Sequence, residues 1–353
     1  NHDKIHAYRG YDLLGHLTGL GYKTPSGDTL YAESFSYTDR QNQYYEGHIK
    51  EKTVNRFGTT KSSYSYEYDG RYQLSSVVYK ANDINDSILY VYDYDLNGNI
   101  NWVAIDDDTT RYERASGRNV RLFHGNEADD FGMITKISTP LWDTATIQYD
   151  PLNKMPISIF NSENPDDKVS FYYDNQGRRV LKVRQFTHDQ VYYNDTMTYV
   201  YAGHGLPHYR ELSGFYIHNG DSIFINKKQK FVYGKGYAPL AVINNDETID
   251  FLIADYQGTV KIVYDDQLNI KSSFRYKPYG ELDHMITQNF EASSELAEGM
   301  LLNKYSYTYT GQEYDEELGV YNFRARLYDP KARSHIKKAT GANSNPSPYQ
   351  LFE

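Results

Sequence analysis

There is no cysteine in this 353-residue chain. That removes disulfides, thiolate zinc sites and cysteine nucleophiles from consideration, and it leaves the compartment open. No apolar run approaches the roughly 20 residues that a membrane-spanning helix needs. Positive charge is scarce: 37 Lys and Arg stand against 47 Asp and Glu, giving a net charge of −10. Without a strongly basic block, a surface that tracks phosphates is excluded and no nucleic-acid partner is expected. The acidic excess is thinly spread and serves solubility. Only 2 Trp occur, yet 38 Tyr and 15 Phe bring the aromatic share to 16%. Tyrosine therefore supplies much of the buriable area, which a disordered chain would not carry. The chain opens on Asn1, and residues 1–20 lack the basic-then-apolar build of a signal peptide. It reads as a segment from inside a longer chain, with any targeting segment out of view.

The strongest signal is internal repetition. Tyr-Asp recurs with turn residues behind it. The copies are Tyr11-Asp12-Leu13-Leu14-Gly15, Tyr68-Asp69-Gly70-Arg71, Tyr92-Asp93-Tyr94-Asp95-Leu96-Asn97-Gly98, Tyr149-Asp150-Pro151-Leu152-Asn153 and Tyr173-Asp174-Asn175-Gln176-Gly177. Tyr68 to Tyr92 is a step of 24 residues, and so is Tyr149 to Tyr173. Weaker copies stand at Tyr37-Thr38-Asp39 and Tyr112-Glu113. Ahead of the Asp, residues alternate, as in Tyr64-Ser65-Tyr66-Glu67-Tyr68. Tyr66 and Tyr68 should then share one strand face, opposite Glu67. Asp followed by Asn-Gly or Gln-Gly is turn chemistry, so Gly177 should sit at positive φ between two strands. Each unit reads as strand, tight turn, strand. Neighbours must stack, because a lone hairpin is marginal.

Tyr-Asp-x-x-Gly-Arg at this interval resembles the YD-repeat, or RHS-repeat, family. Phe251-Leu252-Ile253-Ala254-Asp255-Tyr256-Gln257-Gly258-Thr259-Val260 is similar to the segment that opens that family's RHS core. Tyr276-Lys277-Pro278-Tyr279-Gly280-Glu281 matches its Tyr-x-Pro-Phe-Gly element. Tyr309-Thr310-Gly311-Gln312-Glu313-Tyr314-Asp315 then leads to Gly319-Val320-Tyr321-Asn322-Phe323-Arg324-Ala325-Arg326-Leu327-Tyr328-Asp329-Pro330, the most specific stretch. The resemblance implies an all-β fold, with repeated hairpins wound as a spiral sheet that forms part of a hollow shell. Residues 1–250 would be shell wall, and residues 251–353 the RHS-associated core that plugs it. One short helix is expected over Glu295–Leu302, capped by Ser293 or Ser294. After Pro330 the sequence departs from the family. The usual Leu-Gly pair is absent, Arg333 stands for the usual Arg, and the closing Asp-Pro-x-Gly motif is missing.

Other candidate sites have simpler readings. Asp93-x-Asp95-x-Asn97-Gly98 opens like an EF-hand loop, but the twelfth position is Ala104 rather than a bidentate Glu, and a hairpin turn accounts for it. His204 and His208 have zinc spacing only on a helix, which Gly203, Gly205 and Pro207 oppose. Asp106-Asp107-Asp108 and Asp129-Asp130 read as loop charges, since catalytic carboxylate pairs are defined in space. Gly234-Lys235-Gly236 is too short for a phosphate loop. Tyrosine faces suit sugars or peptides, but repeat-position rings are read as cross-strand packing. No metal, cofactor or catalytic residue is assigned.

The resemblance implies a non-enzymatic shell segment that encapsulates a C-terminal effector, usually a toxin. It would be secreted or at the cell surface, with that effector and other parts of the same shell as partners. The family's self-cleavage acids would lie beyond Glu353, and Asp329 reads as a turn residue. The alternative is an adhesion scaffold of the teneurin-like branch. A glycan-active β enzyme is a third class and would need two converging carboxylates.

Overall fold

The computed structural model describes residues 5–37, 47–58, 60–82, 87–96, 98–114, 121–122, 126–202, 205–234, 238–287, 305–324 and 326–336. The helix expected over Glu295–Leu302, with its cap at Ser293 or Ser294, lies outside them. Among the described residues, the regular structure is antiparallel β throughout, apart from one 3-10 turn at Tyr309–Gly311. The all-β expectation holds.

The chain divides into two compact units between Tyr112 and Glu113. The first unit carries a nine-stranded sheet, from His6–Tyr11 to Asp108–Arg111. Every strand in it pairs with its sequence neighbour, so the sheet is a plain succession of hairpins. The second unit carries a fourteen-stranded sheet built the same way, from Glu127–Ala128 to Leu282–Thr287. That sheet crosses residue 250 without a break, through Ile249–Ala254 and Val260–Tyr264. A smaller sheet follows, made of Glu313–Asp315, Val320–Phe323, Arg326–Asp329 and Ser334–His335.

Alternation sets the faces. Along Val191–Tyr201, Val191, Tyr193, Asp195, Met197 and Tyr199 are buried while the residues between them are not. In the strand Thr60–Tyr68, Tyr66 and Tyr68 are half-buried and Glu67 is exposed, as the register required. The Tyr64 and Tyr66 rings stack with centroids 6.3 Å apart. The small sheet closes the core of the second unit. Leu318, Val320, Leu327 and Ile336 join Ile147, Ile159, Val169, Phe171 and Phe186 in one apolar cluster. Ile134 N–H also donates to the Ile336 carbonyl at 3.2 Å.

Candidate functional site

The repeat residues build one recurring device. At Asp12, Asp69, Asp95, Asp174 and Asp255, the Asp N–H donates to the carbonyl four residues on, at 2.8 to 2.9 Å. At Asp12, Asp69, Asp174 and Asp255, Oδ1 also accepts the N–H groups of residues two and four ahead, which for Asp174 are Gln176 and Arg178, each at 2.9 Å. The residue three ahead is left-handed: Gly15, Gly98, Gly177 and Gly258 all have positive φ, with Gly177 at 74° as expected. In the second copy that position falls on Tyr72 (φ 62°), not on Gly70. Asp93 closes no turn. It stands opposite Trp102, and its Oδ2 accepts from Asn101 Nδ2 at 3.0 Å. Tyr94-Asp95 is the turn pair, so the step from Asp69 is 26 residues rather than 24. This engagement of Asp95 supports the hairpin reading of the calcium-like motif.

The tyrosine before each turn reaches sideways. Tyr68, Tyr94, Tyr149 and Tyr173 donate their hydroxyls to the carbonyls of Ile49, Leu74, Ile134 and Pro156, at 2.6 to 2.9 Å. Leu74, Ile134 and Pro156 each lie just past the preceding Asp turn. Tyr11, in the first strand, is 57% exposed, and Tyr92 is buried. Asp150 and Asp329 close a variant turn one residue longer before the left-handed position. Asp150 Oδ1 accepts from Leu152 and Asn153, and Asp329 Oδ1 from Lys331 and Ala332, at 2.8 to 3.0 Å. Lys154 (φ 58°) and Arg333 (φ 52°) are the left-handed residues. Asp329-Pro330 is thus a structural turn, and Arg333 lies over the Tyr279 ring at 6.0 Å.

The C-terminal motifs, far apart in sequence, meet. Val260 N–H donates to Thr308 O at 3.0 Å, beside the Gly258 turn. Tyr321 and Tyr328 donate to the carbonyls of Gly280 and Tyr279, at 2.9 and 3.0 Å, and so clasp the Pro278-Tyr279-Gly280 turn. Gly280 (φ 87°) admits the Tyr309 ring, which a Cβ there would meet at 2.4 Å. Gly311 and Arg324 both take positive φ, and Arg326 is half-buried in the strand that follows.

The feature that sequence reasoning missed is a buried charge cluster between the large sheet and this segment. Arg179, Lys182, Arg184 and Arg210 come from the large sheet. Asp195 joins them from its own sheet, and Glu313, Asp315 and Glu317 from the C-terminal segment. All eight are buried. Asp315 Oδ1 accepts from Arg179 Nη1 and Lys182 Nζ, each at 2.8 Å. Glu317 accepts from Lys182 at 2.8 Å. Arg184 binds Asp195 through two bonds of 2.8 Å. Glu313 accepts from Tyr199 Oη at 2.8 Å and Arg210 at 3.2 Å, and Arg210 also binds Ser306. Four cations thus face four acids, and the charges balance. The only available sequence signal was the density of acids over Glu313–Glu317.

Burial alone would raise the Asp315 carboxyl, but Arg179 and Lys182 outweigh it and hold it at about 2. Burial raises Glu316 to about 7, with Glu317 adding to the effect. Burial also raises Asp329 to about 6, against the lowering by the Ala332 and Lys331 amides. His335 is pushed down to about 3 by burial and by Arg326. The arrangement is one of docking: it fixes the Glu313–Glu317 segment on the large sheet.

The remaining candidates separate. Asp106-Asp107 forms a tight turn, and Asp106 Oδ1 accepts from Leu89 N–H at 2.8 Å. Asp129 closes a repeat turn, accepting from Phe131 and Met133. His208 lies against Tyr233 with centroids 5.6 Å apart. His204 and Lys235-Gly236 lie outside the described residues. Among the described residues, no cluster of three His, Asp or Glu is arranged to hold a metal, and no helix is long and apolar enough to cross a membrane.

No family model matches the chain. It is 30% identical to Salivary gland surface protein 1 of Aedes aegypti over 208 residues, which is 57% of this chain and 5% of that protein. It is 26% identical to mouse (Mus musculus) Teneurin-1 over 311 residues, 82% of this chain and 9% of that one. In structure it is similar to a chain of the Photorhabdus luminescens Tc holotoxin pore, with TM-score 0.76, 15% identity, and coverage of 98% of this chain and 17% of that one. TcdB2–TccC3 is similar with TM-score 0.74 at 16% identity, covering 98% of this chain and 18% of its own. The chain therefore spans less than a fifth of the length of each of these four, and it has the β fold of a section of these toxin chains.

Proposed function

We propose that the chain is a section of an RHS/YD-type shell whose full-length form sequesters a C-terminal effector until delivery. The observation that carries this reading is the structural likeness to Tc toxin chains along 98% of the chain. The motif set from Asp255 to Pro330 supports it. On this reading the hairpins up to residue 250 serve as wall. The segment from 251 onward is the RHS-associated core, docked on the wall through the charge cluster and the Tyr321 and Tyr328 clasps. The role is structural rather than enzymatic, in a secreted or cell-surface protein, with the effector and the rest of the shell as partners. Limited proteolysis of the full-length product tests it. The effector should resist cleavage inside the intact product and be cut readily when expressed alone; equal cleavage rates would refute encapsulation.

A second reading is an adhesion scaffold, favoured by the match to Teneurin-1 over 82% of this chain. It requires a partner on the outer surface and no enclosed cargo. Saturable binding of the full-length protein to cell surfaces, with no protected effector, would select it.

A further inference from the structure

Pro207–His218 and Asp221–Tyr233 form a hairpin that outruns the strand beside it. That next strand, Pro239–Asn244, pairs only with Gln229–Tyr233. Beyond its end the Asn245 side chain takes over: Lys228 N–H donates to Asn245 Oδ1, and Asn245 Nδ2 donates to the Asn226 carbonyl at 2.8 Å. Backbone groups alternate in direction along a strand, so the N–H and C=O groups of Ser222 and Phe224 face the same way as those of Asn226 and Lys228. Among the described residues, no strand pairs with them on that side. At the other end the hairpin turns tightly through Asn219 (φ 52°) and Gly220 (φ 88°). The open edge is therefore Asp221–Lys227, and Phe224 is its midpoint.

The side chains at the middle of this edge do not defend it. Phe224 is 81% exposed and Ile223 42%. The Phe224 ring ends an aromatic row across three strands: it lies 6.1 Å from Phe215, which lies 6.5 Å from Tyr192. An exposed apolar edge is a template for adding a strand. Charges stand only at its ends, and they are opposite in sign, Asp221 at one and Lys227 at the other. Set antiparallel against itself about Phe224, the edge complements itself: Asp221 meets Lys227, Ser222 meets Asn226, and Ile223 meets Ile225. That self-complementarity selects a second copy as the occupant, because a two-fold contact presents the same surface from both sides.

We propose that Asp221–Lys227 pairs antiparallel with the same strand of a second copy of this chain, about a two-fold axis at Phe224. Phe224 exchanges N–H···O bonds with its copy, and Ser222 does so with Asn226, whose carbonyl has a second lone pair beside the one that Asn245 uses. The two large sheets thereby join into one. The aromatic rows meet across the axis, and an Asp221–Lys227 pair closes each end. The inference does not rest on the shell reading.

Small-angle X-ray scattering of the whole chain over a concentration series should show a monomer–dimer equilibrium. Phe224→Lys, which sets two ammonium groups side by side at the axis, should weaken the dimer by about tenfold or more, with circular dichroism and Tm retained. Cysteine pairing reads the register, since the chain has no cysteine of its own. Residues opposite each other in a non-hydrogen-bonded pair stand about 4.5 Å apart at Cα, within disulfide reach. Under mild oxidation, Asp221→Cys and Lys227→Cys should each stay uncrosslinked alone and crosslink when mixed. A chain that is monomeric at every concentration up to about 1 mM would overturn the proposal. So would a dimer that Phe224→Lys leaves intact, or a mixture that crosslinks no more than either variant alone.

Discussion

The Tyr173 hydroxyl donates to the Pro156 carbonyl at 2.9 Å, across to the start of the preceding hairpin. The same bond recurs at Tyr68, Tyr94 and Tyr149, which is why the repeat carries Tyr rather than Phe. Tyr173→Phe should therefore lose about 1 kcal/mol, the usual net worth of one such bond, read from urea unfolding. An unchanged midpoint would make the hydroxyl incidental. Gly177 meets nothing nearer than Met155 Cε at 4.0 Å, so a side chain there has room and only the backbone objects. Gly177→Val should cost about 1–2 kcal/mol, and Gly177→Asn much less, since Asn tolerates the left-handed region. Asp315 is a different case. Asp315→Ala leaves Arg179 and Lys182 buried with their main counter-charge gone, and it should cost about 3–5 kcal/mol. Glu127→Ala, which removes the exposed pair with Lys136, should cost under about 1 kcal/mol. A loss at Asp315 as small as that at Glu127 would show that the cluster contributes nothing to docking.

At the scale of the element, the small C-terminal sheet concentrates shifted titrations, and their signs differ. Glu316 is raised to about 7. Its contribution is fully present below its ordinary pKa near 4.5 and is lost as pH rises through 7. Asp329, raised to about 6, behaves likewise from 3.8 upward. His335, lowered to about 3, contributes above 6.5, and that contribution is lost as pH falls through 3. Glu316→Gln, which cannot ionise, should therefore be more stable than the parent at pH 8 and no more stable at pH 4. Thermal melts of the two proteins at both values decide it. An equal difference at both pH values would place the Glu316 carboxyl in ordinary solvent.

At the scale of the whole molecule, the chain is expected to keep its covalent integrity. Asp329 is a buried acid raised to about 6, the type of group that active sites use. Yet its Oδ1 is occupied by the Lys331 and Ala332 amides, and Arg333 is too basic to accept a proton. Intact mass should stay constant through prolonged incubation between pH 5 and 8, near the Asp329 titration. A discrete product that disappears in Asp329→Asn, with the fold retained, would reveal an internal protease.

The sequence alone determined the β class, the hairpin succession and most of the turns, because those features are local. An Asp bonding amides two and four residues ahead needs only its own neighbours, as at Asp12, Asp174 and Asp255. Only the fold decides that Gly70 and Asp93, though they stand inside copies of the motif, do not take the turn positions. Two Tyr-Asp pairs stand side by side at 92–95, and only strand register selects the second. The charge cluster was decided by tertiary structure. In Arg179–His188, alternation by hydropathy would turn Leu181 and Val183 inward, yet Lys182 and Arg184 are the buried residues. Their counter-charges lie at Asp195, in the next strand, and at Asp315 and Glu317, more than 130 residues away for Lys182. A buried cation is tolerable only when its partner arrives from elsewhere in the fold, and no local pattern carries that information.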